Sequence, residues 1–152
     1  MITLSRTQIV GAELIDSDTI RINGIQEDHI YGMEIHLDVN VPKGEIVSIE
    51  GWMKRYTNPV CTEAVDVLQN AVGINLREEK WEYRLMKNIG RKGCEHFAEI
   101  LIECGRSFDQ ARMAKDLEGA LKADPALDQQ QFCSQWVKDH PEIEAGCLAR
   151  SR

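Results

Sequence analysis

The residues of this chain best suited to chemistry are cysteines. Cys61 follows Asn58-Pro59-Val60 and Cys94 follows Arg91-Lys92-Gly93, so each thiol falls where an amphipathic helix is expected to begin. Unpaired amides and the positive end of the macrodipole at a helix start favour a thiolate, the form that attacks sulfur and binds metal. His96 lies two residues past the second thiol. Zinc or ferrous iron needs three or four donors at about 2.0 to 2.3 Å. Cys61, Cys94 and His96 would supply three, and His36, Asp66 or Glu95 a fourth. Sulfur carriage needs less geometry: one thiol accepts a sulfur atom and the other resolves it as a disulfide, if their Cα atoms lie within about 7 Å. Residue types alone leave metal and sulfur both open. Cys94 as nucleophile with His96 as base is not expected, because residues two apart at a helix start splay. No catalytic residue is assigned.

The other candidates carry less. Cys104 sits three helical turns from Cys94 on a similar face and is expected in the core. Cys133 and Cys147 fall in a weakly patterned tail, where an exposed thiol would pair between chains. His29 belongs to the Glu27-Asp28-His29 turn and is expected in solvent. Trp52 and Tyr56 could form an aromatic wall beside Cys61, as small-molecule pockets often have. That wall supports a different class of protein: a non-catalytic accessory module that recognises a small metabolite or a partner protein and whose cysteines are structural. Arg77-Glu78-Glu79-Lys80 and the following Glu82, Arg84 and Lys87 are expected on the wet side of a helix.

Five cysteines in 152 residues are an odd, sparse set, unlike the dense even sets that staple small secreted domains. Reduced thiols and the cytoplasm are therefore expected. A net charge of −7 repels phosphate backbones, so nucleic acid is not an expected partner. There is no run of about 18 apolar residues of the kind that crosses a membrane. CxxC, HExxH, GxGxxG, GxxxxGK[ST] and GxSxG patterns are missing too, which leaves zinc-ribbon, zincin, nucleotide-binding and serine-hydrolase readings without a motif.

Elements that must position the thiols follow from hydrophobic period. Gln8–Ile15 and Thr19–Gln26 read as strands around Asp16-Ser17-Asp18. Met33 to Val41 alternates cleanly, with Met33, Ile35, Leu37 and Val39 against Glu34, His36, Asp38 and Asn40. Pro42-Lys43-Gly44 turns the chain into Glu45–Tyr56, with Val47, Ile49, Gly51 and Met53 expected on the covered face. The period then becomes helical: Pro59 to Val72 stopped by Gly73, Arg77 to Ile89 stopped by Gly90, and Cys94 to Cys104 stopped near Gly105. Further helices are expected before Asp124-Pro125 and before His140-Pro141, with Glu142 to Arg152 frayed. The class is α+β, an antiparallel sheet with helices on one face, organised as a core over residues 1–106 and a helical extension over 107–152.

The strand pair, the Pro59-Val60-Cys61 helix start, the Trp81 segment and Gly93-Cys94-Glu95-His96-Phe97-Ala98-Glu99 together resemble a bacterial family of uncharacterised proteins, domain of unknown function 2889. More loosely, Leu37-Asp38-Val39-Asn40-Val41, the Pro42-Lys43-Gly44 turn, Cys61 and Cys94 occur in the order found in iron-sulfur cluster scaffold proteins of the IscU and NifU type. Such scaffolds carry a cysteine and an aspartate before the first of these strands, where this chain has Tyr31-Gly32-Met33, and a histidine before the last cysteine, where it has Gly93. The resemblance thus implies an IscU-like fold with two of three scaffold cysteines, fit for a sulfur acceptor or a residual metal site with His96 as replacement ligand.

Overall fold

The computed structural model describes residues 1 and 3–143. The chain divides into two compact units, Met1–Phe108 and Asp109–Arg152. The first is α+β. Its strands β1 (Arg6–Leu14), β2 (Thr19–Asp28), β3 (Gly32–Asn40) and β4 (Glu45–Arg55) form an antiparallel meander in the order β1-β2-β3-β4. Alternation explains it: on β3, Met33, Ile35, Leu37 and Val39 are buried while Glu34, His36, Asp38 and Asn40 are half-buried on the other face. Each fully covered aliphatic side chain contributes roughly 1.5–3 kcal/mol relative to an exposed one, so the pattern fixes which face takes the helices.

β4 departs from simple alternation. The β3–β4 register shifts between Asp38 and Val39, so Val39 pairs with Ile46 while Asp38 pairs with Ser48. Ile46 and Ile49 are therefore buried, and Val47, expected on the covered face, is 45 % exposed. A bulge adds one residue to one strand and reverses the facing of what lies beyond it. Period alone does not reveal that.

The helix α3 (Glu95–Arg106) lies on the covered face, burying Phe97, Ala98, Ile100, Leu101 and Cys104. It comes so close to β2 that a Cβ on Gly24 would stand 2.6 Å from both Cys104 Sγ and Ile100 Cγ2. The expected helix over Pro59–Val72 is broken into a 3₁₀ turn (Pro59–Glu63), α1 (Ala64–Val67) and a second 3₁₀ turn (Leu68–Ala71), stopped by Gly73 at φ +84°. The helix expected from Arg77 starts instead at Trp81 with α2 (Trp81–Leu85), followed by a π turn over Met86–Gly90. Lys80 has a left-handed φ of 66°, and the Arg77 guanidinium donates to the Val41 and Pro42 carbonyls at 2.7 Å each, so Arg77 straps the β3–β4 turn rather than opening a helix, while Glu82 and Arg84 do fall on α2.

In the second unit, α4 (Phe108–Ala123) and α5 (Gln129–Asp139) are joined by a short turn, and Asp128 caps α5 by accepting from the Gln130 and Gln131 amides. Trp136 is buried there; its indole N–H donates to Asp116 at 2.8 Å. Cys147 and the stretch expected to fray fall, from residue 144 onward, outside the described residues.

Candidate functional site

Cys61 and Cys94 line one hollow of about 560 Å³, together with Asn58, Val60, Val67 and Lys92 among others. Both thiols are half-buried and neither is in a disulfide. Two short constructions bring them there. Asn58 opens the first 3₁₀ turn by accepting from the Val60 amide at 3.0 Å, Pro59 supplies a preset φ, and Cys61 follows with its amide on the Asn58 carbonyl at 2.9 Å. On the other side, the π turn ends in Arg91-Lys92-Gly93, and the Gly93 and Cys94 amides both reach the Ile89 carbonyl, at 2.9 and 3.1 Å. Gly93 joins the two. A Cβ there would stand 2.9 Å from Val67 Cβ and 3.0 and 3.1 Å from its methyls, so only a glycine lets the Cys94 turn approach α1 this closely.

The thiols differ in setting. Cys94 is the N-cap of α3, with extended φ and ψ of −140° and 120°, and its side chain makes no capping bond to the helix amides. Its Sγ lies 3.9 Å from His96 Nδ1. The expected splaying of this pair does not occur, because the His96 ring packs against the Tyr31 ring at 4.4 Å between centroids. Cys61 Sγ has Thr57 Oγ1 at 3.8 Å.

Tyr31 is itself held by a buried aspartate. Asp28 Oδ1 accepts from the Ile30 and Tyr31 amides at 2.7 and 2.6 Å, and Oδ2 accepts from Arg6 Nε at 2.9 Å. The Tyr31 amide above all, then that of Ile30 and the Arg6 guanidinium, hold the Asp28 carboxyl down to about 2 against the opposing effect of burial. Arg55 closes the same turn by donating to the Tyr31 carbonyl at 3.1 Å and to that of Asp28.

The other expected residues lie elsewhere. His36 is on the open face of the sheet, the face away from α3, hydrogen-bonded to Glu34 at 3.0 Å and edge-on to Trp52 at 4.7 Å. There the Lys54 ammonium, and less so His36, lower the Glu34 pKa. Trp52 and Asp66 line a separate hollow of about 340 Å³ with Glu50 and Gln69, and Tyr56 lines neither. Neither aromatic lines the hollow of Cys61. Glu95 is exposed at the first turn of α3. Among the described residues, no three His, Cys, Asp or Glu side chains gather as a metal would require, so the fourth ligand expected from His36, Asp66 or Glu95 is not in place. Cys104 is fully buried, and burial pushes its thiol up to about 12. His29 is exposed and Cys133 half-buried.

Sequence reasoning missed Tyr31 and Val67. Asp28-His29-Ile30-Tyr31 did hold a signal, since an aspartate commonly bonds the amides two and three residues on. Nothing in the sequence pairs Gly93 with Val67.

An antiparallel meander covered on one face by helices, with two half-buried thiols around a hollow beside the covering helix, defines an α+β thiol-bearing protein. The chain belongs to the family described as protein of unknown function (DUF2889), whose model matches residues 6–110. No curated protein and no solved structure matches it. Among the described residues no helix is long and apolar enough to cross a membrane.

Proposed function

We propose that this protein carries sulfur on the thiol pair Cys61 and Cys94, working in the cytoplasm with a protein partner as donor or acceptor. The single observation that supports the reading is the shared hollow: two thiols from segments remote in sequence open on one space of about 560 Å³. Sulfur carriage is favoured over a zinc or iron centre because it needs two thiols and no further ligand. Kinship with the iron-sulfur scaffold proteins is a finer form of the same proposal, supported by the order of strands and cysteines along the chain.

The chemistry balances without a bound cofactor. A thiolate of the protein attacks the outer sulfur of a persulfide or polysulfide donor, the S–S bond of the donor breaks, and the donor leaves as a thiolate. The second cysteine then attacks the inner sulfur of the protein persulfide, forming a disulfide and releasing hydrosulfide. A low-molecular-weight thiol reduces that disulfide and resets the pair.

Incubation of reduced protein with inorganic polysulfide, followed by mass measurement of the intact chain, tests the reading. One added sulfur on a single serine variant, where no second thiol can release it, and a Cys61–Cys94 disulfide in the wild type, both absent from the Cys61→Ser/Cys94→Ser variant, are the expected result. Equal loading of that variant would refute it.

A further inference from the structure

Resting on the sulfur-carrying reading, we infer that the two thiols have separate roles: Cys94 attacks the donor, Cys61 resolves, and Tyr31 is the positioning residue that holds His96 at the attacking sulfur. The asymmetry is in what each thiol touches. Cys94 Sγ has an imidazole nitrogen at 3.9 Å, whereas Cys61 Sγ has a hydroxyl at 3.8 Å. A neighbouring imidazole can take up the proton of a thiol as it attacks, and an ordinary alcohol cannot. Cys94 is also the N-cap of a twelve-residue helix, its side chain making no capping bond, while Cys61 sits within a five-residue 3₁₀ turn. The longer helix presents more aligned peptide dipoles to an anionic sulfur.

Tyr31 makes that geometry persistent. Two residues apart at a helix start, Cys94 and His96 have no reason of their own to meet, and the imidazole would be free to swing into solvent. The Tyr31 ring at 4.4 Å, inclined by 39°, blocks one side of it. Its backbone is fixed on both sides: the N–H donates to Asp28 Oδ1 at 2.6 Å, and the carbonyl accepts from the Asp28 amide at 2.9 Å and from Arg55. A linked series thus runs from Arg6 through Asp28 and Tyr31 to His96 and the sulfur, crossing from the β2–β3 turn to the start of α3. Outer partners of this kind orient the groups that touch the reacting atom.

In the first step the Cys94 S–H proton passes to His96, the new bond forms to the outer sulfur of the donor, and the proton is returned to the departing thiolate. Cys61, from the other wall of the hollow, then attacks the inner sulfur of the Cys94 persulfide and releases hydrosulfide.

Residue-resolved alkylation of the whole chain with iodoacetamide tests the assignment, with Cys61 in each molecule as the internal reference. Cys94 is expected to label faster than Cys61, and His96→Gln to slow Cys94 by about tenfold or more. Tyr31→Ala is expected to slow Cys94 by about tenfold with Cys61 unchanged, and Tyr31→Phe, which keeps the ring, to restore it. A faster Cys61, or a Cys94 rate indifferent to both His96→Gln and Tyr31→Ala, overturns the inference. Should Tyr31→Ala slow both thiols together through the fold, His96→Gln, which leaves the Asp28 turn untouched, decides by the same ratio. Polysulfide loading keeps the two claims apart. No loading on either cysteine defeats sulfur carriage while the labelling ratio stands; full loading of Cys61 at the wild-type rate in Cys94→Ser defeats the division of roles alone.

Discussion

Adding one methyl group at Gly93 should loosen the thiol hollow, and the structure sets the size of the effect. The new Cβ would lie 2.9 Å from Val67 Cβ, 3.0 Å from Cγ2 and 3.1 Å from Cγ1. Comfortable carbon–carbon contact is about 3.5–4.0 Å, so the two segments must part by about 0.6–1 Å. Rotating the valine gives no escape, because its Cβ, fixed to the backbone, is itself the nearest atom. Overpacking of this sort costs about 1–3 kcal/mol. Gly93 has no positive φ, so alanine also stiffens the unfolded chain, which returns about 0.4–1 kcal/mol. A net loss of about 1–2 kcal/mol is expected for Gly93→Ala, read as a lower urea midpoint at unchanged slope. Because the movement separates Cys94 from α1, the yield of Cys61–Cys94 disulfide under mild oxidation should fall with it. A wild-type midpoint together with a wild-type disulfide yield would refute the claim that this approach seats the two cysteines.

Gly24→Ala should destabilise the first unit by about 1–3 kcal/mol in the same urea assay, since the added carbon meets Cys104 Sγ and Ile100 Cγ2 at 2.6 Å under α3. Asp28 has a folded pKa of about 2 against an ordinary 3.8, so its ionisation stabilises the fold above the ordinary value and that contribution disappears as pH falls through the folded one. Asp28→Asn should therefore be less stable than wild type at neutral pH, with the gap closing between about pH 4 and pH 2 in an acid unfolding series. Cys104, with its thiol pushed up to about 12 by burial, should resist alkylation in the native protein and label only with global unfolding in a urea series.

Much of the fold was legible from period alone. The alternation along β3 placed Ile35 and Leu37 inside and His36 outside, and helical spacing placed Cys104 on the core side of α3. Local exceptions were not legible. Opposite Val39 a bulge turned Val47 outward, because bulges are settled by how two strands meet rather than by either strand. Arg77 looked helical by charge pattern, yet its guanidinium finds two carbonyls of the β3–β4 turn more than thirty residues back in the chain. Of the site, the cysteines and His96 were visible by type and position; the Tyr31 ring and the Gly93–Val67 contact were not, since both depend on tertiary approach. The same blindness made Trp52 look like a neighbour of Cys61, when it stands beside His36 on the open face.

The central claim is that Cys61 and Cys94 act on one space, and bridging them tests it most directly. Dibromobimane fluoresces once both of its arms have displaced bromide onto thiols, and a hollow of about 560 Å³ has room for it. The account predicts one fluorescent bridge per native chain, mapped by peptide mass to Cys61 and Cys94 and lost in either single serine variant. Native protein that is alkylated at both residues yet never bridged between them would contradict it.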